Sequence, residues 1–207
     1  MVASRVPGAR ASRQLLPVLP LRDQSLFPEA SLSIVVARPQ LVKAVELAVR
    51  TGGRLLAIAQ RDPEVVSPAG KDLHALGTIA DLSQAVPTSE GGFKLELDGV
   101  SRARVATLLG VDLLVAEAEP VGEGDPGNEW GAAVEALARY LHTHPDLRGF
   151  IDQQRHSQEP MAWVNLACQH LPITATARQK LLESDAVARC LKIGRGLDAL
   201  LRKEKGD

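Results

Sequence analysis

The 207-residue sequence predicts an α+β protein in which a mostly antiparallel, partly closed sheet with one early inserted helix is followed by an all-α half. Three observations carry that prediction. Between residues 15 and 119 apolar residues recur mainly with the two-residue period of strands, interrupted once by a helical rhythm. Beyond residue 128 the helical rhythm takes over. Between the two lies the one strong composition shift, Pro120 to Asn128, rich in Gly122, Gly124, Gly127 and Pro126.

Residues 1–13 read as a frayed lead-in. Leu15 to Arg22 is extended but carries Pro17 and Pro20, which predicts a sheet edge or a bulge. Ser31 to Ala37 puts Leu32, Ile34 and Val36 on one strand face. From Pro39, a good first-turn residue, Leu41, Val42, Val45, Ala48 and Val49 recur at helical spacing until Gly52 and Gly53. Leu55 to Ala59 is an apolar run suited to a central strand, and Gly77 to Ser83 is a further strand. Phe93, Leu95 and Leu97 alternate with Lys94 and Glu96 after a Gly91-Gly92 reversal. Asp98-Gly99 predicts another turn before strands at Arg102 to Leu109 and Asp112 to Glu119, six to eight strands in all.

The linker 120–128 separates a β domain over 14–119 from a helical subdomain over 129–204. Trp130, Val134, Leu137 and Leu141 form one helical stripe that Asn128 would cap, and Met161, Val164, Cys168 and Leu171 form another after Pro160. Thr174 and Ser184 would cap two more helices, the last from Asp185 to Lys203 on Val187, Leu191, Leu197 and Leu201. Gly194 and Gly196 weaken that last helix, at about 1 kcal/mol each against alanine.

Composition narrows the function. Hydrophobic residues make up 45% and aromatics only 3%, so the core is aliphatic. The net charge of −1 hides no basic half: residues 1–120 carry 13 basic and 13 acidic side chains and residues 121–207 carry 11 and 12. No field therefore draws nucleic acid or an anionic membrane, and few aromatics are present for base stacking. Cys168 and Cys190 are too few and too far apart for a disulfide framework. No run approaches the roughly 20 apolar residues of a membrane span, and no secretory leader is visible, which predicts a cytoplasmic protein.

Motifs for chemistry are missing. Gly70-Lys71-Asp72 lacks the earlier glycine and the hydroxyl of a phosphate-binding loop, and Gly194-Arg195-Gly196 follows helix rather than strand. His142-Thr143-His144 has the wrong spacing for two ligands on one helix face. No nucleophile elbow accompanies the serines, and the paired acids Asp62/Glu64 and Glu117/Glu119 read as solvated charges. The prediction is no catalytic residue, no metal and no cofactor. Arg102 and Arg104 share a strand face and read mainly as exposed charges, with a small anion site as the alternative. Leu26, Phe27 and Pro28 either plug the end of the sheet or offer a sticky spot to a client chain.

Leu16-Pro17-Val18-Leu19-Pro20-Leu21-Arg22, followed by Phe27-Pro28, resembles the opening signature of the amino-terminal domain of Lon proteases. The resemblance continues in order through Leu55 to Gln60, Gly77-Thr78, and Gly99 to Arg104 with its Gly-x-x-Arg-x-Arg spacing. Leu171-Pro172 and Leu181-Leu182-Glu183 match more loosely. It implies a PUA-like β pseudobarrel beside a helical bundle, with Pro17, Leu19, Pro20, Leu21, Arg22, Gln60, Gly77, Thr78, Gly99, Arg102 and Arg104 mainly structural. It also implies recognition of unfolded or damaged proteins, or proteins bearing degrons, together with self-association or assembly with an ATPase-protease. The ATPase module and Ser-Lys peptidase of a full Lon protease do not occur before Asp207, so the expected role is non-catalytic. The alternative is a free-standing Lon-domain regulator or adaptor.

Overall fold

A computed structural model describes residues 12–154 and 159–205. Strands β1 (Gln14–Leu21), β2 (Ser31–Val36), β3 (Arg54–Ala59), β4 (Leu76–Pro87), β5 (Phe93–Leu109) and β6 (Val115–Val121) form one mixed sheet in the order β2-β5-β4-β3-β1-β6. An additional pairing of β5 with β6 closes five of these strands into a ring, with β2 attached outside it along the first half of β5. The ring is compatible with the pseudobarrel that the resemblance implies. Helix α1 (Pro39–Arg50) is inserted between β2 and β3 and turns Leu41, Ala44, Val45 and Ala48 inward.

β1 corrects the expectation of a proline-marked edge. It is buried from Leu16 to Leu21 and lies between two neighbours, antiparallel to β6 over Gln14–Pro17 and parallel to β3 over Val18–Leu21. The Val18 N–H donates to the Leu114 carbonyl, and the Leu21 carbonyl accepts from the Gln60 N–H. By alternation, even residues face β6 and odd residues face β3. Pro17 therefore turns its bare nitrogen toward β3 before that pairing begins, and Pro20 turns its own toward β6 after that pairing has ended. A strand that changes partner midway tolerates both prolines in the interior of a sheet.

Asp98-Gly99 does not reverse the chain. β5 runs through it as one 17-residue strand, and a bulge against β4 falls between the pairs Ile79–Ser101 and Ala80–Gly99. The strand face alternates between two cores. Leu16, Val18, Leu56, Ile58, Ile79, Ala103 and Ala116, drawn from all five ring strands, pack together inside the ring. Leu19, Leu21, Leu55, Ala57, Leu95 and Leu97 belong instead to a core that continues into α1 and the helical half.

The helices are α2 (Glu129–Thr143), α3 (Pro145–Gln154), α4 (Pro160–His170), α5 (Ala175–Glu183) and α6 (Ala186–Lys205). α3, which the sequence reading did not predict, starts at Pro145 just after α2 ends, because proline suits a first helical turn. Asn128 has helical backbone angles and makes no side-chain cap, while Thr174 Oγ1 accepts from the Ala177 N–H as expected. The cap of α6 is Asp185, whose Oδ1 accepts from the Ala188 N–H; Ser184 ends α5 instead. The inner faces are also rotated from the expected stripes. α2 buries Ala133, Ala136, Leu137, Tyr140 and Leu141, and α6 buries Ala186, Arg189, Cys190, Ile193 and Leu197, leaving Val187 exposed. Gly194 lies where a Cβ would meet the Ala133 backbone at 3.8 Å, so it sits in ordinary contact with α2.

Candidate functional site

The segment 22–30, between β1 and β2, is where the two halves meet. Asp23 and Glu29, each one residue in from its ends, have positive φ angles of 50° and 66°. For a glutamate that conformation costs about 1 kcal/mol or more, so surrounding contacts must hold it. From the sheet, Thr78 Oγ1 donates to the Leu26 carbonyl at 2.5 Å, and the Gly99 carbonyl and N–H bond Glu29 and Ala30 at 2.8 Å each. A Cβ on Gly99 would stand 2.1 Å from the Phe27 carbonyl oxygen, so only glycine fits there. From the helices, Gln169 Oε1 accepts from the Phe27 N–H at 3.0 Å, and Gln179 takes the Ser25 hydroxyl at 2.9 Å while donating to the Leu76 carbonyl.

These clamps decide the two readings of the loop. Leu26 is 1% exposed and Phe27 0%, and Pro28 is buried as well. The sticky-spot expectation is corrected: the pair sits in the shared core, with the Arg189 guanidinium 5.7 Å from the Phe27 ring centre. Two adjacent large apolar residues in a loop have reached a second apolar layer, which the sequence does not display.

Arg102 also departs from expectation, being 3% exposed while Arg104 is exposed. Arg102 donates to the Leu182, Ser184 and Gly122 carbonyls at 3.1, 2.7 and 2.8 Å. Arg189, fully buried, donates to the Leu181, Leu182 and Ser184 carbonyls, to Asn165 Oδ1 and to Glu123 Oε2. Two guanidinium groups thus satisfy the carbonyls at the C-terminal end of α5, where the helix dipole favours positive charge. Glu123 is the shared counter-ion, and its Oε1 faces Arg102 Nε at 3.0 Å as an ion pair too bent for a hydrogen bond. Burial lowers the Arg102 pKa, and Glu123 opposes that shift. The glycine-rich connector is pinned by this network at Gly122 and Glu123.

Beside the network a cleft of about 680 Å³ opens between the sheet and α4, with Pro28, Val100, Val121, Glu123, Met161 and Asn165 among its lining residues. Glu29, Asp125 and Glu159 add negative charge to it. Asn165 is 1% exposed, and its Nδ2 has no hydrogen-bond partner among the described residues. Walls that combine apolar side chains with carboxylates suit a polypeptide segment, which brings apolar side chains and backbone N–H donors together.

The remaining motif residues have structural places. Pro17, Leu19, Pro20 and Leu21 build β1. Gln60 donates to the Asp62 and Val65 carbonyls and holds the loop after β3. A Cβ on Gly77 would stand 2.4 Å from the Ala57 carbonyl oxygen. Arg22 is exposed. His144 stacks on Tyr140 at 4.1 Å and pairs with Glu204, and no group of three or more metal-binding side chains gathers among the described residues. Burial pushes the Cys168 thiol up to about 12 and raises Cys190 as well, which makes both unreactive. No described helix is long and apolar enough to cross a membrane.

Sequence reasoning missed Arg189, Gln169, Gln179, Glu123 and Asn165. A signal for Arg189 was present: it lies on the Ala186, Cys190, Ile193, Leu197 stripe, where a charge must find buried partners.

The family model described as the ATP-dependent protease La (LON) substrate-binding domain matches residues 15–195, from β1 into α6. The chain belongs to this family. Lon protease 1 of Thermus thermophilus is 34% identical over 196 residues, which is 90% of this chain and 24% of that protein. The Lon protease of Xanthomonas oryzae is 30% identical over 192 residues, 88% of this chain and 22% of that protein. The chain thus spans about a quarter of the length of these curated relatives. Among solved structures, the N-terminal domain of Mycobacterium avium complex Lon protease matches with a TM-score of 0.69 at 19% identity, over 90% of this chain and 98% of that one. A Lon N-terminal domain protein from Xanthomonas campestris matches with a TM-score of 0.60 at 22% identity, over 86% and 95%. These structural likenesses speak to the fold, and it is the α+β fold expected from the sequence. In this LON substrate-binding domain, Phe27, Thr78, Gly99 and Arg102 join the sheet to the helices.

Proposed function

We propose that this LON substrate-binding domain recognises unfolded, damaged or degron-bearing proteins on behalf of an ATP-dependent Lon-type protease, and performs no bond chemistry itself. The observation that carries the reading is the family match over residues 15–195, which takes in both walls of the junction cleft. The clamped loop and the Arg102–Glu123–Arg189 network support it, because they hold the sheet and α4 at a set separation and leave a cleft of mixed apolar and acidic walls between them. The same reading includes a cytoplasmic location, contacts with further copies or with an ATPase-protease, and no role for nucleic acid.

Recognition of many clients requires weak contact per copy, on the order of micromolar or poorer, strengthened when copies act together. Reduced, carboxymethylated α-lactalbumin is a suitable probe because it cannot refold. Titration of the isotope-labelled chain with this probe should shift amides around Val100, Val121 and Met161, and display of the chain on a multivalent scaffold should raise retention of the probe. An absence of retention even on the scaffold would refute the reading.

A further inference from the structure

We propose that the free edge of β2 captures an extended, acidic segment of a client protein by strand addition, a mode of recognition that rests on the function proposed above. Among the described residues β2 pairs with β5 alone, over Ser31–Val36. The Ala30 carbonyl accepts from the Gly99 N–H, and the Val36 carbonyl oxygen points at Gly92, where a Cβ would meet it at 2.2 Å. Even residues therefore turn their backbone groups toward β5, and Ser31, Ser33 and Val35 turn theirs outward.

Open edges are normally guarded by charge, proline or a bulge, because an unguarded edge pairs with any available strand. The other open stretches here follow that rule. The outer part of β4 ends in Pro87 and has a register shift between Leu82 and Gln84, and the β3-facing side of early β1 carries Pro17. β2 reads Ser-Leu-Ser-Ile-Val-Val with no charge and no proline, and Val35 is 68% exposed.

The edge lies along a groove of about 470 Å³ whose opposite wall includes Pro20, Leu21, Arg22 and Leu41. No residue of β4 or β5 lines it, so it is on the unpaired side. A groove with two walls receives one extended segment more readily than the edge of a second folded copy. Its charge selects the occupant. Arg22 has no hydrogen bond or ion pair among the described residues, and Arg38 is held by neutral acceptors, the Val66 carbonyl at 2.7 Å and Gln60 Oε1 at 3.4 Å. Burial and the neighbouring Arg22 lower the Arg38 pKa, as expected for two cations at one end of the groove without a shared carboxylate. The complement is a β-prone segment bearing Asp or Glu.

The probes are three fluorescent octapeptides of alternating valine and threonine: one with two terminal glutamates, one with two lysines there, and the glutamate peptide with alternate backbone nitrogens methylated. Wild type should bind the glutamate peptide about ten-fold or more tightly than the lysine peptide, and the methylated peptide should fail. Val35→Pro removes one outward N–H without touching the β2–β5 ladder and should abolish binding, and Arg22→Glu, which offsets the charge of Arg38, should remove the charge preference. Equal binding of the methylated peptide by wild type would overturn the proposal without relying on any variant. Dimerisation of the free chain that Val35→Pro abolishes, with no peptide bound, would also overturn it and assign the edge to a second copy. If Val35→Pro keeps its capture of carboxymethylated α-lactalbumin, the edge proposal fails while the recognition reading stands; if wild type captures none, the reading itself fails.

Discussion

Residues 22–30 and 31–36 are consecutive in the chain, and their polar backbone groups meet opposite fates. In the first segment the Leu26 carbonyl, the Phe27 N–H and the Ser25 hydroxyl are met by Thr78, Gln169 and Gln179, side chains 52 to 154 positions away. In the second, one side of the strand is paired by β5 and the other is left to the groove. A buried loop must have its polar groups satisfied or lose their desolvation energy, whereas a strand beside a groove leaves its groups to water or to a partner. The join between the halves is therefore rigid, and the openness lies one strand later.

The largest test of that contrast truncates one apolar side chain in each segment. Phe27→Ala empties a site at the centre of the shared core and should destabilise the chain by about 3–5 kcal/mol, while Val35→Ala at the edge should change stability by no more than about 0.5 kcal/mol. Urea unfolding measures both, and equal losses would mean that the edge is covered in solution. A smaller test removes the charge shared by the two arginines. Glu123→Gln leaves two buried guanidinium groups without a carboxylate and should cost about 3 kcal/mol. The unfolding transition should then separate into two phases if Glu123 holds the sheet to the helices.

The smallest effect concerns pH. Burial, assisted by Arg178, lowers the His170 pKa from its ordinary 6.5. Between that lowered value and 6.5 the unfolded chain binds more protons than the folded one, so stability falls as pH drops through this window. The decrease in melting temperature between about pH 7.5 and about pH 5.5 should be smaller in His170→Gln than in wild type, and an identical decrease would assign it to other groups.

Much of the architecture was legible because it depends on local periodicity. Leu32, Ile34 and Val36 alternate toward one face of β2, and Leu95 and Leu97 do the same on β5, as their spacing requires. Pro39 and Gly52 bracket α1 through backbone preferences that act within a few residues. The family was legible for a related reason: Pro17 and Pro20, Gly77-Thr78 and Gly99 to Arg102 are constraints of one scaffold, and their order along the chain is preserved even where no single motif is decisive. The site was less so. Thr78 and Gly99 were singled out, but the contacts that make them matter, to the Leu26 and Phe27 carbonyls, close across 52 and 72 positions.

By itself the sequence determined most of the segments that become strands and helices, though not α3 or the continuity of β5 through Asp98-Gly99, that the core is aliphatic, and which family signature the first half carries, because each of these follows from residue types a few positions apart. Only the tertiary structure decided that β1 lies inside the sheet despite its prolines, that Leu26 and Phe27 face inward, that Arg102 and Arg189 are buried, and that β2 keeps one side unpaired among the described residues. Those outcomes depend on which distant surfaces cover which groups. Residues such as Leu26 or Arg102 have the same local pattern whether they meet water or a second layer, and only packing distinguishes the two.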